Sequence, residues 1–92
     1  MRAIFVQVKC QMGLAYRVAQ LAVDTIEELS EIYSISGQYD LLGKFYLDDA
    51  QDTGLFVTER VQTLPGVTDT YTLITFNAFA SSRDKPNPTA SG

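Results

Sequence analysis

Apolar residues alternate along some stretches of the chain and recur at helical intervals along others, and the changes of period mark its elements. Over residues 3–8, Ile4, Val6 and Val8 alternate with Ala3, Phe5 and Gln7. β-Branched and aromatic residues at a period of two predict a strand. Ile4, Val6 and Val8 make one clean apolar face, and Ala3 and Phe5 make the other at least half apolar. A strand apolar on both sides needs two covers. Cys10-Gln11-Met12-Gly13 turns the chain into a helix, where Leu14, Val18, Leu21, Ala22 and Thr25 recur at i, i+4, i+7, i+8 and i+11. Arg17, Gln20 and Asp24 fall on the opposite face, and the helix is expected to end between Thr25 and Glu28. A second strand is predicted from Glu31 to Ser36 and a third from Leu41 to Leu47, joined by the breakers Gly37-Gln38-Tyr39-Asp40. So short a joint predicts an antiparallel hairpin.

Asp48-Asp49 offers an N-cap to a second helix, with acid at the positive end of its dipole. Phe56, Val57, Val61 and Leu64 supply its apolar stripe, and Pro65-Gly66 stops it. A fourth strand is expected between Val67 and Phe79, centred on Leu73, Ile74 and Phe76. The last stretch, Ser81 to Gly92, reads SSRDKPNPTASG and has no periodicity. It is expected to be a disordered tail, which leaves residues 1–80 for one domain.

The order β-α-β-β-α-β is the ferredoxin-like, split βαβ motif of the α+β class. Right-handed crossovers put both helices on one face of a four-stranded antiparallel sheet. The other face then has no cover within the chain, and whichever row of the first strand lies there demands burial. A homodimer packed sheet on sheet, in the manner of a dimeric α/β-barrel, would provide it.

Charge and residue usage narrow the function. The chain carries a net charge of −4. Over residues 1–80 the only bases are Arg2, Lys9, Arg17, Lys44 and Arg60, against ten acids. DNA affinity rests on Lys and Arg neutralising phosphates, so direct nucleic-acid binding is not expected. There is no histidine, which removes the commonest metal ligand and general base. No metal, cofactor or catalytic constellation is expected. Cys10, the single cysteine, permits no intrachain disulfide and reads as a structural thiol. No stretch approaches a membrane span or a signal peptide, so the expected setting is cytoplasmic. Glu27, Glu28 and Glu31 read as a solvated acidic surface.

Three local motifs, in order, carry a family resemblance. The stretch from Ile32 through Gly37-Gln38-Tyr39-Asp40 to Leu42 resembles the β2–β3 hairpin of the Lrp/AsnC regulatory (RAM) domain. Phe56 to Val67, ending Leu64-Pro65-Gly66-Val67, resembles its second helix and exit, and Thr68-Asp69-Thr70-Tyr71-Thr72-Leu73-Ile74 resembles its final strand. The resemblance implies dimers joined through their sheets, assembly into octameric or decameric rings, and binding of amino acids or related metabolites between dimers. Full-length members carry a helix-turn-helix ahead of this domain, whereas this sequence begins at the first strand. The resemblance therefore implies a stand-alone form, acting on transcription indirectly by assembling with itself or with a full-length relative.

Carried over residue by residue, the implied ligand-binding positions are Gly37, Gln38, Tyr39 and Asp40 in the hairpin and Thr70 and Thr72 on the last strand. Each also has a plain structural role. Gly37 suits positive φ in a tight turn, and it would also let backbone N–H groups approach a carboxylate. Asp40 would accept from a ligand's ammonium or from the hairpin backbone. Tyr39 would wall a cleft or pack at a dimer interface. Thr70 and Thr72 point the same way from a strand, toward a ligand or toward solvent. Two other readings of the same fold are a small monooxygenase-like enzyme and a ligand-free oligomerisation module.

Overall fold

A computed structural model describes residues 1–81. The expected tail at 81–92 lies outside the described residues apart from Ser81. The elements are β1 (Arg2–Cys10), α1 (Ala15–Thr25), β2 (Leu29–Ser34), β3 (Leu41–Leu47), α2 (Thr53–Phe56) and β4 (Val67–Ile74). A π-helical turn, Val57–Val61, continues α2 without a break. The four strands form one antiparallel sheet in the order β2-β3-β1-β4. This is the ferredoxin-like arrangement that the alternation of periods predicts. Among the described residues no helix is long and apolar enough to cross a membrane.

The pleat sorts the two rows of β1. Ile4, Val6 and Val8 face the helices and are buried, with Leu41, Phe45 and Leu47 of β3 beside them. Val18, Ala22 and Ile26 from α1, and Phe56, Val57 and Val61 from the second helical segment, close this core from above. Phe45 meets Phe56 edge-on, with centroids 5.3 Å apart. Gly43 makes room for it, since a Cβ there would stand 2.9 Å from Phe45 Cε1. The Ala3/Phe5 row lies on the opposite, open face. There β1 registers Phe5 between Lys44 and Leu73, and Gln7 between Leu42 and Tyr71.

Local physics moves several boundaries. The second helical segment is capped by Asp52, whose Oδ1 accepts from Leu55 N at 2.9 Å, and not by Asp48-Asp49. Asp48 belongs instead to a turn closed by Gln51 N donating to Asp48 O, and Arg2 pins that turn by donating to Asp48 O and Gln51 O. The π turn, with Gln62 N donating to Val57 O, keeps Val57 and Val61 both against the sheet beside Phe56. The second strand lies two residues earlier than the pattern predicts, because a bulge at Ser30 lets Leu29 pair with Phe45. The last strand stops at Ile74. The Thr75 hydroxyl donates to Ala3 O at 2.5 Å, taking the carbonyl of the partner strand, and Phe76 lies beyond the strand and exposed.

Glu28 departs from the solvated surface expected for the acidic cluster, although Glu27 and Glu31 are exposed. Its Oε2 accepts from Gln51 Nε2 at 3.0 Å, and its solvent-shielded Oε1 faces Arg60 Nη2 at 3.4 Å. Burial pushes its carboxyl upward, but hydrogen bonds from its own backbone and Gln51, together with the Arg60 charge, outweigh that and hold it below the ordinary value. A carboxyl so lowered stabilises the fold fully above the ordinary glutamate value of about 4.3 and gives that stability up as the pH falls further. The difference in Tm between wild type and Glu28→Gln is therefore expected to shrink on acidification below about pH 4.3. Thermal melts of both proteins across that range check it; a constant difference would contradict it.

Candidate ligand-binding site

The hairpin joint between β2 and β3 packs against the end of β1. Ile35 N donates to Asp40 O and Asp40 N donates to Val8 O, so the turn is closed on itself and tied to the central strand. At Lys9/Cys10 the pairing of β1 with β4 slips by a bulge. A bulge leaves a backbone group without its ladder partner. Here Asp40 Oδ2 accepts from Cys10 N at 2.8 Å. The Asp40 carboxylate is thus engaged with the backbone of β1, a structural role, but one that ties the hairpin to its neighbouring strand and not to its own backbone as the sequence suggested. Cys10 beneath it is a buried, free thiol. Burial pushes the thiol upward, Asp40 adds to this and Lys9 opposes it, so the group is held neutral.

Gly37 has φ +130°, a conformation that side-chain-bearing residues rarely adopt, and a Cβ there would meet nothing within 4 Å. Backbone shape alone, with no crowding inside the chain, accounts for the glycine. The space above it is open. Gly37, Gln38 and Tyr39 line a surface depression of about 360 Å3 together with Lys9 and Asp69. Lys9 Nζ donates to Gln38 O at 2.9 Å and so braces the turn. Tyr39 stacks at a tilt on Tyr71, with centroids 6.2 Å apart.

The structure therefore brings Gly37, Gln38 and Tyr39 together, sets Asp40 behind them and places Thr70 and Thr72 elsewhere. Thr70 registers with Val8 and Thr72 with Val6, which puts both on the helix-covered side of the edge strand β4. Thr70 Oγ1 accepts from Gln62 Nε2 at 2.9 Å. Alternation is the cause: Asp69 and Tyr71 take the open face, and Thr70 and Thr72 the other.

Sequence reasoning missed Lys9 and Asp69. They are register partners across β1 and β4. The available signal was that Lys9 ends the open row of β1 and Asp69 shares a face with Tyr71. What the sequence does not show is the register that sets them opposite each other. With these two residues the depression carries one cation and one carboxylate on its rim, beside the exposed backbone of a glycine turn. A cation and an anion so placed suit a small zwitterion, one for its carboxylate and the other for its ammonium. Among the described residues no group of three His, Cys, Asp or Glu side chains is placed to hold a metal ion.

Fold and motifs together define a regulatory ligand-binding domain. Residues 3–84 match the Lrp/AsnC ligand binding domain, and the chain belongs to that family. It is a ligand-binding domain of a regulatory family and not an enzyme.

The protein FFRP-DM1 is 28% identical, with a TM-score of 0.75 over 83% of this chain and 100% of its own. TTHA0845 from Thermus thermophilus is 28% identical, with a TM-score of 0.77 over 88% of this chain and 100% of its own. The transcriptional regulator NMB0573 from Neisseria meningitidis, solved in complex with L-Met, shares the fold at 17% identity. Its TM-score is 0.74, over 96% of this chain and 58% of the regulator's. No curated protein matches the chain.

Proposed function

We propose that this chain is a small-metabolite sensing and self-association module whose ligand is a free amino acid. The observation that carries this reading is the depression at the hairpin, where Lys9 and Asp69 set opposite charges beside Gly37, Gln38 and Tyr39. An amino acid needs donors for its carboxylate and acceptors for its ammonium, and this rim offers both. The depression is open on one side, so a neighbouring copy completes the cleft. The ligand then stabilises the assembly by mass action, because it binds only where copies meet.

The module pairs through its open sheet face into a homodimer, and dimers join into an octameric or decameric ring. Its regulatory effect on transcription is indirect, through assembly with itself or with a full-length relative. The family and the L-Met complex of NMB0573 support an amino acid as ligand. The shortage of bases over residues 1–80 supports a partner other than nucleic acid.

Thermal unfolding in the presence of each common amino acid tests this reading. A ligand at about ten times its Kd adds about 1.4 kcal/mol by mass action. For a domain of this size that raises Tm by roughly 5 to 10 °C. At least one amino acid, with L-methionine the first probe, is expected to do so. A panel in which none moves Tm would overturn the sensor reading.

A further inference from the structure

Beyond Ile74 the chain reads Thr75-Phe76-Asn77-Ala78-Phe79-Ala80 and takes no regular structure. Its start is fixed, because the Thr75 hydroxyl is bonded to Ala3 O. Its two aromatic rings are nonetheless bare, with Phe76 and Phe79 each 93% exposed. The segment also stands off its own sheet. A cavity of about 480 Å3 separates Thr75, Phe76, Asn77 and Ala78 from Phe5, Lys44 and Tyr46 on the open face. Within it, Lys44 Nζ lies 6.0 Å from the Phe5 ring centre and 5.0 Å from that of Tyr46.

We infer that residues 75–80 form an arm exchanged between two copies of the chain, laying Phe76 and Phe79 of each copy in the slot beside Lys44 of the other. The inference rests on the sheet-to-sheet dimer proposed above and adds the part of the chain that secures it. Area is the first argument. A stable interface needs about 800 Å2 from each partner. The open face offers Tyr33, Tyr71, Tyr46 and Leu73, exposed by 39 to 54%. At 150–250 Å2 for a whole aromatic side chain, these give on the order of 400 Å2. The two phenylalanines give roughly 350 Å2 more on the same scale. The arm thus nearly doubles the area of large apolar side chains that the open face can bury.

Geometry and chemistry point to the same occupant. A two-fold interface is reciprocal, so an arm that leaves the sheet at the end of β4 and a slot over β1 and β3 on the open face fit each other in both directions. The slot has a cation between aromatic walls, and a further aromatic face is a favourable partner for that ammonium.

Sedimentation equilibrium of the full chain and of Phe76→Ala/Phe79→Ala tests the exchange. Truncating two well-buried aromatic anchors weakens an interface by about tenfold or more for each. The wild type is expected to dimerise and the double variant to dimerise at least about a hundredfold more weakly. The monomers should share one far-UV circular dichroism spectrum, since both rings are exposed in the single chain. Equal dimer affinities would overturn the arm and leave the dimer standing. A wild type that stays monomeric at the highest attainable concentration would overturn both.

Discussion

Phe45→Ala is expected to be the most damaging single substitution in the domain, lowering its stability by about 3 to 5 kcal/mol. Phe45 is 1% exposed at the centre of the sheet's covered face and touches the edge of Phe56. Among the described residues it is the one large ring that the sheet contributes to the core, and the gap left by its loss cannot be refilled by Gly43 beside it. A small domain has a total stability of about 5 to 15 kcal/mol. Chemical denaturation of the variant should therefore show a transition that begins at very low denaturant or a chain already unfolded. Tyr16→Ser, at a surface position 77% exposed, is the control and should stay within about 0.5 kcal/mol of wild type. A Phe45→Ala loss of similar size would contradict the packing described for the core.

Asp40→Ala comes next. The Asp40 carboxylate is the acceptor for Cys10 N at the bulge where β1 leaves its register with β4. Without it a part-buried N–H has no partner, which costs about 1 to 3 kcal/mol. Asp40→Asn keeps an oxygen in place and should recover part of the loss. Thermal melts of the three proteins check the ranking, and amide exchange at Cys10 should accelerate most in Asp40→Ala. Equal stabilities would show that the bond does not hold the hairpin. The substitution also has a consequence for functional tests. Residues 37–39 hang from the same turn, so a lost ligand response in Asp40→Ala would report a collapsed loop as readily as a lost contact. Asp69→Asn, which removes the charge of the rim carboxylate and keeps an oxygen for Thr70 N, is the cleaner probe.

Where periodicity carried the signal, the fold was legible from the sequence. The two rows of β1, the stripe through Val18 and Ala22, and the paired breakers at Gly37 and Asp40 all marked elements that the structure contains. What escaped were features set by long-range partners. The bulge at Ser30 and the end of β4 at Ile74 depend on Phe45 and Ala3, each far away in sequence, and the turn that displaces the cap from Asp48-Asp49 to Asp52 is pinned by the equally distant Arg2. Glu28 looked like one of three solvated acids because nothing near it in the chain announces Gln51 and Arg60. The site divides in the same way. The hairpin residues Gly37, Gln38 and Tyr39 are neighbours in sequence and remain neighbours in space. Lys9 and Asp69 meet only through the β1–β4 register. That register also turns Thr70 and Thr72 toward the helix side, away from the depression.

In the proposed function, the depression bounded by Lys9, Gly37, Gln38, Tyr39 and Asp69 binds a free amino acid. Calorimetric titration of the full chain with L-methionine and then the other amino acids, run in parallel on wild type and Lys9→Ala, tests it most directly. Saturable binding of at least one amino acid by the wild type is expected. In Lys9→Ala the affinity should fall about tenfold or more, the loss expected for one charge-assisted hydrogen bond to a carboxylate. Absence of binding by the wild type, or binding that Lys9→Ala and Asp69→Asn leave unchanged, would contradict it.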